Sequence, residues 1–252
     1  MEHFSKLISV VIPTLNSESS IRIAIGSILR QSLENWEVLI VDGGSIDKTV
    51  YLLEQFNDHR IKIFDFPGTS VYDAMNKGIH LAQGKWLYFM GSDDQLFDDR
   101  IFNDISSLLA DQSSYFIYGN ASISGSVPWA KGEENYGGKF NLYRLLRRNI
   151  CHQAIFYNRS FLQKNNLGYK TEFPISADWD LNIRCFLLTK PTFVNRTIAI
   201  FQGGGKSSRE SDSFSESIKT IYHRYWTNPY QSQPKRFLYS LFSKLKSGLR
   251  GS

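Results

Sequence analysis

Short apolar runs alternate with amphipathic stretches through the first hundred residues. Residues 7–12 (Leu-Ile-Ser-Val-Val-Ile) are nearly continuous and rich in β-branched side chains, the pattern of a strand buried on both faces. Pro13-Thr14-Leu15-Asn16 follows, and because proline lacks an N–H the strand is expected to stop at Pro13. Ser17 to Ser20 supply cap candidates for a helix reaching about Gln31, with Ile21, Ile25, Ile28 and Leu29 on its inner face. A second apolar run covers 36–41 and ends on Asp42-Gly43-Gly44-Ser45-Ile46-Asp47. Its glycines allow a tight turn with free backbone N–H groups, and Ser45 or Asp47 can cap a helix over 48–56. A third strand is predicted over 60–64 and a helix over 71–83, closed by Gly84. The run from Gly84 to Met90 then leads into Gly91-Ser92-Asp93-Asp94. Strands and helices in this alternation predict a doubly wound α/β fold with right-handed crossovers.

The pattern continues with a helix over 99–109, strands over 114–119 and 121–124, and a loop over 125–138. A short basic helix over 141–148 precedes a strand over 150–157 that carries His152. The segment 173–181 leads into a helix ending near Leu188, and 192–201 reads as the last strand. Residues 203–208 are expected as a flexible loop and 213–226 as a closing helix. Farther on, Phe237, Leu238, Leu241, Phe242, Leu245 and Leu249 recur at helical spacing among lysines and arginines, with no acid between them. That composition suits a helix lying on an anionic membrane; a helix docked on the domain, or a loose end, would carry it too.

The candidate chemistry gathers at strand ends. A buried strand that stops on Asp93 and Asp94 places two like charges on a sheet rim, where open α/β sheets bind ligands. Adjacent carboxylates repel unless a cation lies near, and a divalent metal carrying a phosphorylated ligand resolves that conflict. The plainer reading is a pair of turn aspartates capping the next segment. Composition narrows the field. With 252 residues there is room for one large domain, and a net charge of +5 fits an anionic ligand or membrane surface without calling for nucleic acid. Cys151 and Cys185 show neither metal spacing nor a disulfide framework, which fits a reducing compartment. The first residues lack a secretory signal pattern and no apolar run is long enough to span a bilayer, so a cytoplasmic location is expected. Gly205-Lys206-Ser207 looks like the end of a phosphate-binding loop, but the full pattern needs glycine where Ile200 stands, and the loop follows the last strand. Lys206 is therefore read as a mobile-loop lysine within reach of phosphates.

Four ordered motifs carry a family resemblance: residues 10–16 ending in Pro13-Thr14-Leu15-Asn16, then 41–47 around Asp42, then Asn76-Lys77-Gly78, then Gly84 to Asp94. Together they make the first 205 or so residues similar to glycosyltransferase family 2, in its bacterial surface-polysaccharide type. The resemblance implies a GT-A fold, with a Rossmann-like, mostly parallel central sheet and helices on both faces. It implies an inverting enzyme that takes a sugar from a nucleoside-diphosphate donor, expected to be UDP-linked. The acceptor would be a glycan, plausibly on a polyprenyl-diphosphate carrier at the cytoplasmic face of the inner membrane, with the tail as peripheral anchor. The domain would span 1–228, with a nucleotide-binding half over 1–100 and an acceptor-binding half over 101–228, and the basic tail 229–252.

Residue by residue, Pro13, Thr14 and Asn16 would cradle the nucleoside, and Asp42 would accept the imide N–H of uracil. Asn76 and Lys77 would approach the sugar or phosphates, although residues on a helix surface are more often structural. Asp93, with Asp94 beside it, would hold Mn²⁺ or Mg²⁺ even though Gly91 stands at the first acidic position of the family's metal motif. Asp178 is the candidate base that takes the acceptor's proton, with Asp180 as rival and a helix cap as the plainer role for Asp178. His152 and Gln153 are candidates for acceptor or diphosphate contact, weighed against simple packing of a strand histidine. Two other classes stay open at this stage. A nucleotidyltransferase would need a glycine-rich basic loop directly after the first strand, which Pro13-Thr14-Leu15-Asn16 is not. A nucleotide-sugar-binding protein without transferase activity is favoured slightly by Gly91 and Ala177.

Overall fold

In the computed structural model, residues 6–111, 113–125, 127, 130, 135–204 and 210–218 are described. The tail over 229–252, Lys206 and most of the predicted closing helix lie outside them.

The sheet is built outward from β1 (Lys6–Thr14), which pairs in parallel with β2 (Trp36–Asp42) on one side and β4 (Gly84–Phe89) on the other. β3 (Ile61–Asp65) adds in parallel to β2. The interiors of these strands are apolar because both faces are covered: Val10, Val11, Ile12, Val38, Leu39, Ile40, Trp86 and Leu87 have no exposed surface. Helices α1 (Ile21–Leu29), α2 (Thr49–Glu54) and α3 (Val71–Leu81) make the connections. α3 is capped by Ser70, whose hydroxyl accepts the Asp73 N–H. Gly78 lets α3 lie close on β1, since a Cβ there would come within 2.3 Å of Cγ1 of Val11. Gly78→Ala is therefore expected to lose about 1–3 kcal/mol through overpacking, read as a lower midpoint in urea with the slope unchanged.

β4 leads through a turn to the two-residue β5 (Gln95–Leu96) and α4 (Ile101–Ala110). The second half supplies β6 (Phe116–Ser124), β7 (Asn135–Tyr136), α5 (Leu142–Arg147), β8 (Ile155–Asn158), α6 (Arg159–Lys164), α7 (Ala177–Leu188) and β9 (Thr192–Gln202). Among the described residues the sheet has nine strands, ordered β3-β2-β1-β4-β8-β6-β9-β5, with β7 on β6. β8 is antiparallel to β4 and β6, and β5 is antiparallel to β9. The remaining strands of the path share one direction, so the mostly parallel α/β sheet expected from sequence is present. The antiparallel entry of β8 brings its start beside the tip of β4.

Three local expectations are corrected. β1 does not stop at Pro13 but runs on to Thr14, with Pro13 level with Val41. Neighbouring residues in a strand face opposite partners: the Thr14 carbonyl accepts from Gly43 on the β2 side, and the Val11 carbonyl accepts from Met90 on the β4 side. Residue 13 thus faces β4, whose pairing has ended at Phe89, and no ladder bond is lost. The two strands predicted over 114–124 are one strand, with an irregular register against β9 around Asn120. His152 is not in a strand: residues His152–Ala154 form a single 3-10 turn before β8 begins.

Candidate active site

Loops from the ends of β1, β2 and β4 meet at one rim. Thr14, Asp42 and Asp65 end β1, β2 and β3 at the same level. The loop after β1 is bonded to the loop after β2: the Asn16 N–H donates to Ser45 (2.8 Å), and the Ile46 N–H donates to the Asn16 side chain (2.9 Å). The Glu18 N–H donates to Asp47, and the Lys48 N–H donates to Glu18. Ser17 shares a 2.7 Å hydroxyl–hydroxyl bond with Ser92 of the turn after β4. Asp93 and the Asp42 turn therefore line one rim.

The residues expected to read the nucleoside are used differently. Asp42 is buried, and its carboxylate accepts from the Thr14 and Ser45 hydroxyls at 2.9 and 2.6 Å and from the Gly44 and Ser45 N–H groups at 3.0 and 2.7 Å. Four donors engage both oxygens, so Asp42 holds its own turn, and it can accept a base N–H when the Thr14 or Ser45 hydroxyl turns its proton away. Thr14 and Asn16 likewise serve the rim through Asp42 and Ile46, and Pro13 is buried within it. Asn76 pairs both ends of its amide with the backbone of Tyr169 at 2.8 Å, which makes it a clamp between α3 and the following half instead of a ligand contact. Lys77 extends its ammonium over the Phe66 ring, 4.3 Å from the centroid.

The tip of β4 carries the acidic pair. Asp94 is 1% exposed and accepts from the Gln153 side-chain amide (2.8 Å), the Gln202 N–H (2.9 Å) and the Gly91 N–H (3.0 Å). Burial, then the neighbouring Asp93 charge, pushes its carboxyl up to about 7. Asp93 reaches the surface, and its carboxyl is raised by partial burial. One carboxylate oxygen from each aspartate converges over Gly91: a Cβ there would lie 2.6 Å from Asp94 Oδ2 and 2.8 Å from Asp93 Oδ1. Two carboxylates so close, with no ion pair to a basic side chain among the described residues, fit a hard divalent cation. Among the described residues no group of three acidic, histidine or cysteine side chains could hold one. Gly91→Ala is expected to push the pair apart and weaken activation by Mn²⁺ at least tenfold, read by metal titration of turnover.

The second acidic site lies at the start of α7. Ser176 stands at the cap position without a side-chain cap bond, and Asp178, in the first turn, takes the Trp179 N–H and its own, so it also serves the start of the helix. Asp178 accepts from the Tyr72 hydroxyl (3.1 Å) and the Asn149 amide (2.8 Å), and burial pushes its carboxyl up to about 6. Asp180 is fully buried and ion-paired with Arg184 and Lys170, which removes it as the rival base. His152 is also buried, bonded to the Tyr169 hydroxyl and stacked on Phe89, and burial lowers its pKa to about 3. It is a packed histidine held neutral by burial. Gln153 donates to Asp94. A buried acid elsewhere shows the contrast: at the opposite rim Glu37 is pushed up by burial, yet bonds from Ser9, Lys62 and Gln83 outweigh that and leave it lowered. Raised carboxyls are gathered at the candidate site.

Residues 149–153 join the two acids. Asn149 donates to Asp178 and Gln153 donates to Asp94. Four Cα–Cα steps of about 3.8 Å cannot separate those two residues by more than ~15 Å. Tyr72, Asn149 and Gln202, which complete the site, carry no motif and were not legible in the sequence.

The family model described as "Glycosyl transferase family 2" matches residues 9–171. The chain belongs to that family. A Mycobacterium bovis protein named "PGL/p-HBAD biosynthesis glycosyltransferase" is 38% identical over 197 residues, 75% of this chain and 73% of the relative. An Escherichia coli relative, "UDP-Glc:alpha-D-GlcNAc-diphosphoundecaprenol beta-1,3-glucosyltransferase WfgD", is 34% identical over 46% of each chain. Among solved structures, S. aureus TarS 1-349 in complex with UDP-GlcNAc superposes with a TM-score of 0.70 at 17% identity, covering 86% of this chain and 65% of that one. The Pyrobaculum calidifontis mannosyltransferase PcManGT in complex with GDP-Man and Mn²⁺ gives 0.63 at 14% identity, covering 94% of this chain and 79% of the other. At such identities the structures speak for the GT-A fold, and the family 2 assignment makes this protein a glycosyltransferase.

Proposed function

We propose that this family 2 glycosyltransferase moves one sugar, with inversion, from a UDP-linked donor to a glycan acceptor on a lipid diphosphate carrier. The observation that carries the reading is the segment 149–153, which bonds Asp94 of the acidic pair at one end and the lone carboxylate Asp178 at the other. An inverting transfer needs both: charge neutralisation where a diphosphate leaves, and a base where the acceptor hydroxyl attacks. Asp93 and Asp94 would hold Mn²⁺ or Mg²⁺, which when bound stabilises negative charge on the departing diphosphate. The exposed Leu15 at the rim offers an apolar surface to the base. Asp178 receives the acceptor proton on its carboxylate as the new glycosidic bond forms and the sugar–phosphate bond breaks. The names of WfgD, with its UDP-Glc donor and diphosphoundecaprenol acceptor, and of the TarS complex support the donor and acceptor classes. Among the described residues no helix is long and apolar enough to cross a membrane, and the basic tail would supply contact with the cytoplasmic face.

A screen of nucleotide sugars with Mn²⁺ and a polyprenyl-diphosphate glycan, read as released nucleoside diphosphate and extended glycan, tests this. UDP release with glycan extension is expected. Donor binding with no turnover under any donor would instead indicate a binding protein. Because the base must be ionised, kcat with saturating acceptor is expected to fall as pH drops through about 6.

A further inference from the structure

Behind Asp178 lies a line of amides that the transfer reaction as described does not use. The Tyr157 hydroxyl donates to Asn182 Oδ1 at 2.6 Å, the Asn182 amide donates to Asn149 Oδ1 at 2.8 Å, and the Asn149 amide donates to Asp178 Oδ2 at 2.8 Å. Asn182 and Tyr157 have no exposed surface, so neither can touch substrate. The direction of the line is fixed by charge. A carboxylate can only accept, so Asn149 must turn its NH₂ to Asp178 and its oxygen to Asn182. Asn182 must then present NH₂ to Asn149 and leave its own oxygen for the Tyr157 proton. Every donor points toward the anion, and each bond polarises the next. Three elements take part: Tyr157 from β8, Asn182 from the middle of α7 and Asn149 from the loop after α5.

We propose that Asn149 and Asn182 are positioning residues that set the base strength and orientation of Asp178 through this one-way chain of hydrogen bonds. The inference rests on Asp178 being the base. The carboxylate is otherwise surrounded by groups that do not titrate in the working range. Tyr72 on α3, Tyr157 on β8, Tyr169 before α7 and Cys151 are all pushed up by burial, and Asp212 near the 213–218 helix is held low by the Ser215, Ile175 and Ser176 N–H groups, which outweigh its burial. Asp212 is thus a fixed negative neighbour and the tyrosines are neutral. The Tyr72 hydroxyl, the Trp179 N–H and the residue's own N–H favour the ionised base, and the Asn149 amide adds a fourth bond at 2.8 Å. Tyr72 also donates to the Ile175 carbonyl, which divides its proton between two acceptors. Of the two side-chain donors, Asn149 is the one whose bond is undivided, and Asn182 is the group that aims it.

The experiment is the pH dependence of kcat in the full-length enzyme with Mn²⁺, donor and acceptor, for Asn182→Leu, Tyr157→Phe and Asp178→Asn beside the wild type. Asn182→Leu is expected to move the acidic limb up by about one pH unit, with the donor KM unchanged. Tyr157→Phe keeps the aromatic packing and is expected to move the limb the same way by a smaller amount, which covers failure of the first variant to fold. Asp94 lies in the other half of the site and outside the chain of bonds, so a limb it governed would stay put in both variants. If Asp178→Asn is inactive while both other variants keep the wild-type limb, the chain of bonds does not tune the base and this inference fails alone. If Asp178→Asn retains full transfer, the base assignment fails and the inference with it.

Discussion

Asp178→Asn is expected to lower transfer about 10²–10⁴-fold, the span associated with loss of a general base. The fold should tolerate it. Asparagine can turn its oxygen to the Asn149 amide and its NH₂ to Tyr72, whose proton then goes wholly to the Ile175 carbonyl. Stability should not fall at neutral pH. Burial raises the Asp178 pKa from 3.8 to about 6, so the folded protein binds this proton more tightly than the unfolded chain does. The carboxyl's contribution to stability is therefore full below about pH 4 and is lost as pH rises through 6. An uncharged amide avoids that loss. The variant's melting temperature at pH 7.5 should equal or exceed the wild type's, with the difference vanishing in acid. Full activity in this variant, measured as glycan extension, would remove Asp178 from the base role.

Asp93→Ala is expected to reduce kcat/KM at least ~10²-fold, comparable to removing one stabiliser of developing charge. The carboxylate stands at the surface and its charge pushes the buried Asp94 carboxyl up, so at neutral pH the variant's melting temperature should equal or exceed the wild type's. Its loss leaves Asp94 alone, already engaged with Gln153, Gln202 and Gly91. The discriminating measurement is activity against Mn²⁺ concentration. A variant saturating at tenfold or more higher Mn²⁺ supports Asp93 as the principal metal ligand; a wild-type saturation curve would transfer that role to Asp94.

The parts of the fold that could be read from sequence are those where burial imposes a pattern. β2, β3 and the start of β4 fall within a residue of their predicted positions because parallel strands covered on both faces must be apolar throughout. The strand run through Pro13 was misjudged because the cost of proline depends on which neighbour its missing N–H would face, a property of the sheet and not of the segment. The 3-10 turn at His152, the short β5 and β7 and the single-piece β6 were missed for the same reason: tertiary partners decide them. In the site, the acids at strand and helix ends were legible since turn positions leave carboxylates near a rim. Their partners were not. Tyr72 meets Asp178 across 106 residues, and Gln202 meets Asp94 across 108. A lone tyrosine on an amphipathic helix gives no sign of such a meeting. Asp42 shows the converse, where a motif located the residue and only the structure revealed the turn it holds.

The stitching of the loops after β1, β2 and β4 has a dynamic consequence. Asn16, Glu18, Ile46 and Lys48 each donate a backbone N–H across the seam between the first two loops, and Ser17 ties that seam to Ser92. None of these segments can swing out without breaking the others' bonds, so they should breathe as one unit. Deuterium uptake at those four amides should proceed at a common rate, and a bound nucleotide should slow all four by the same factor.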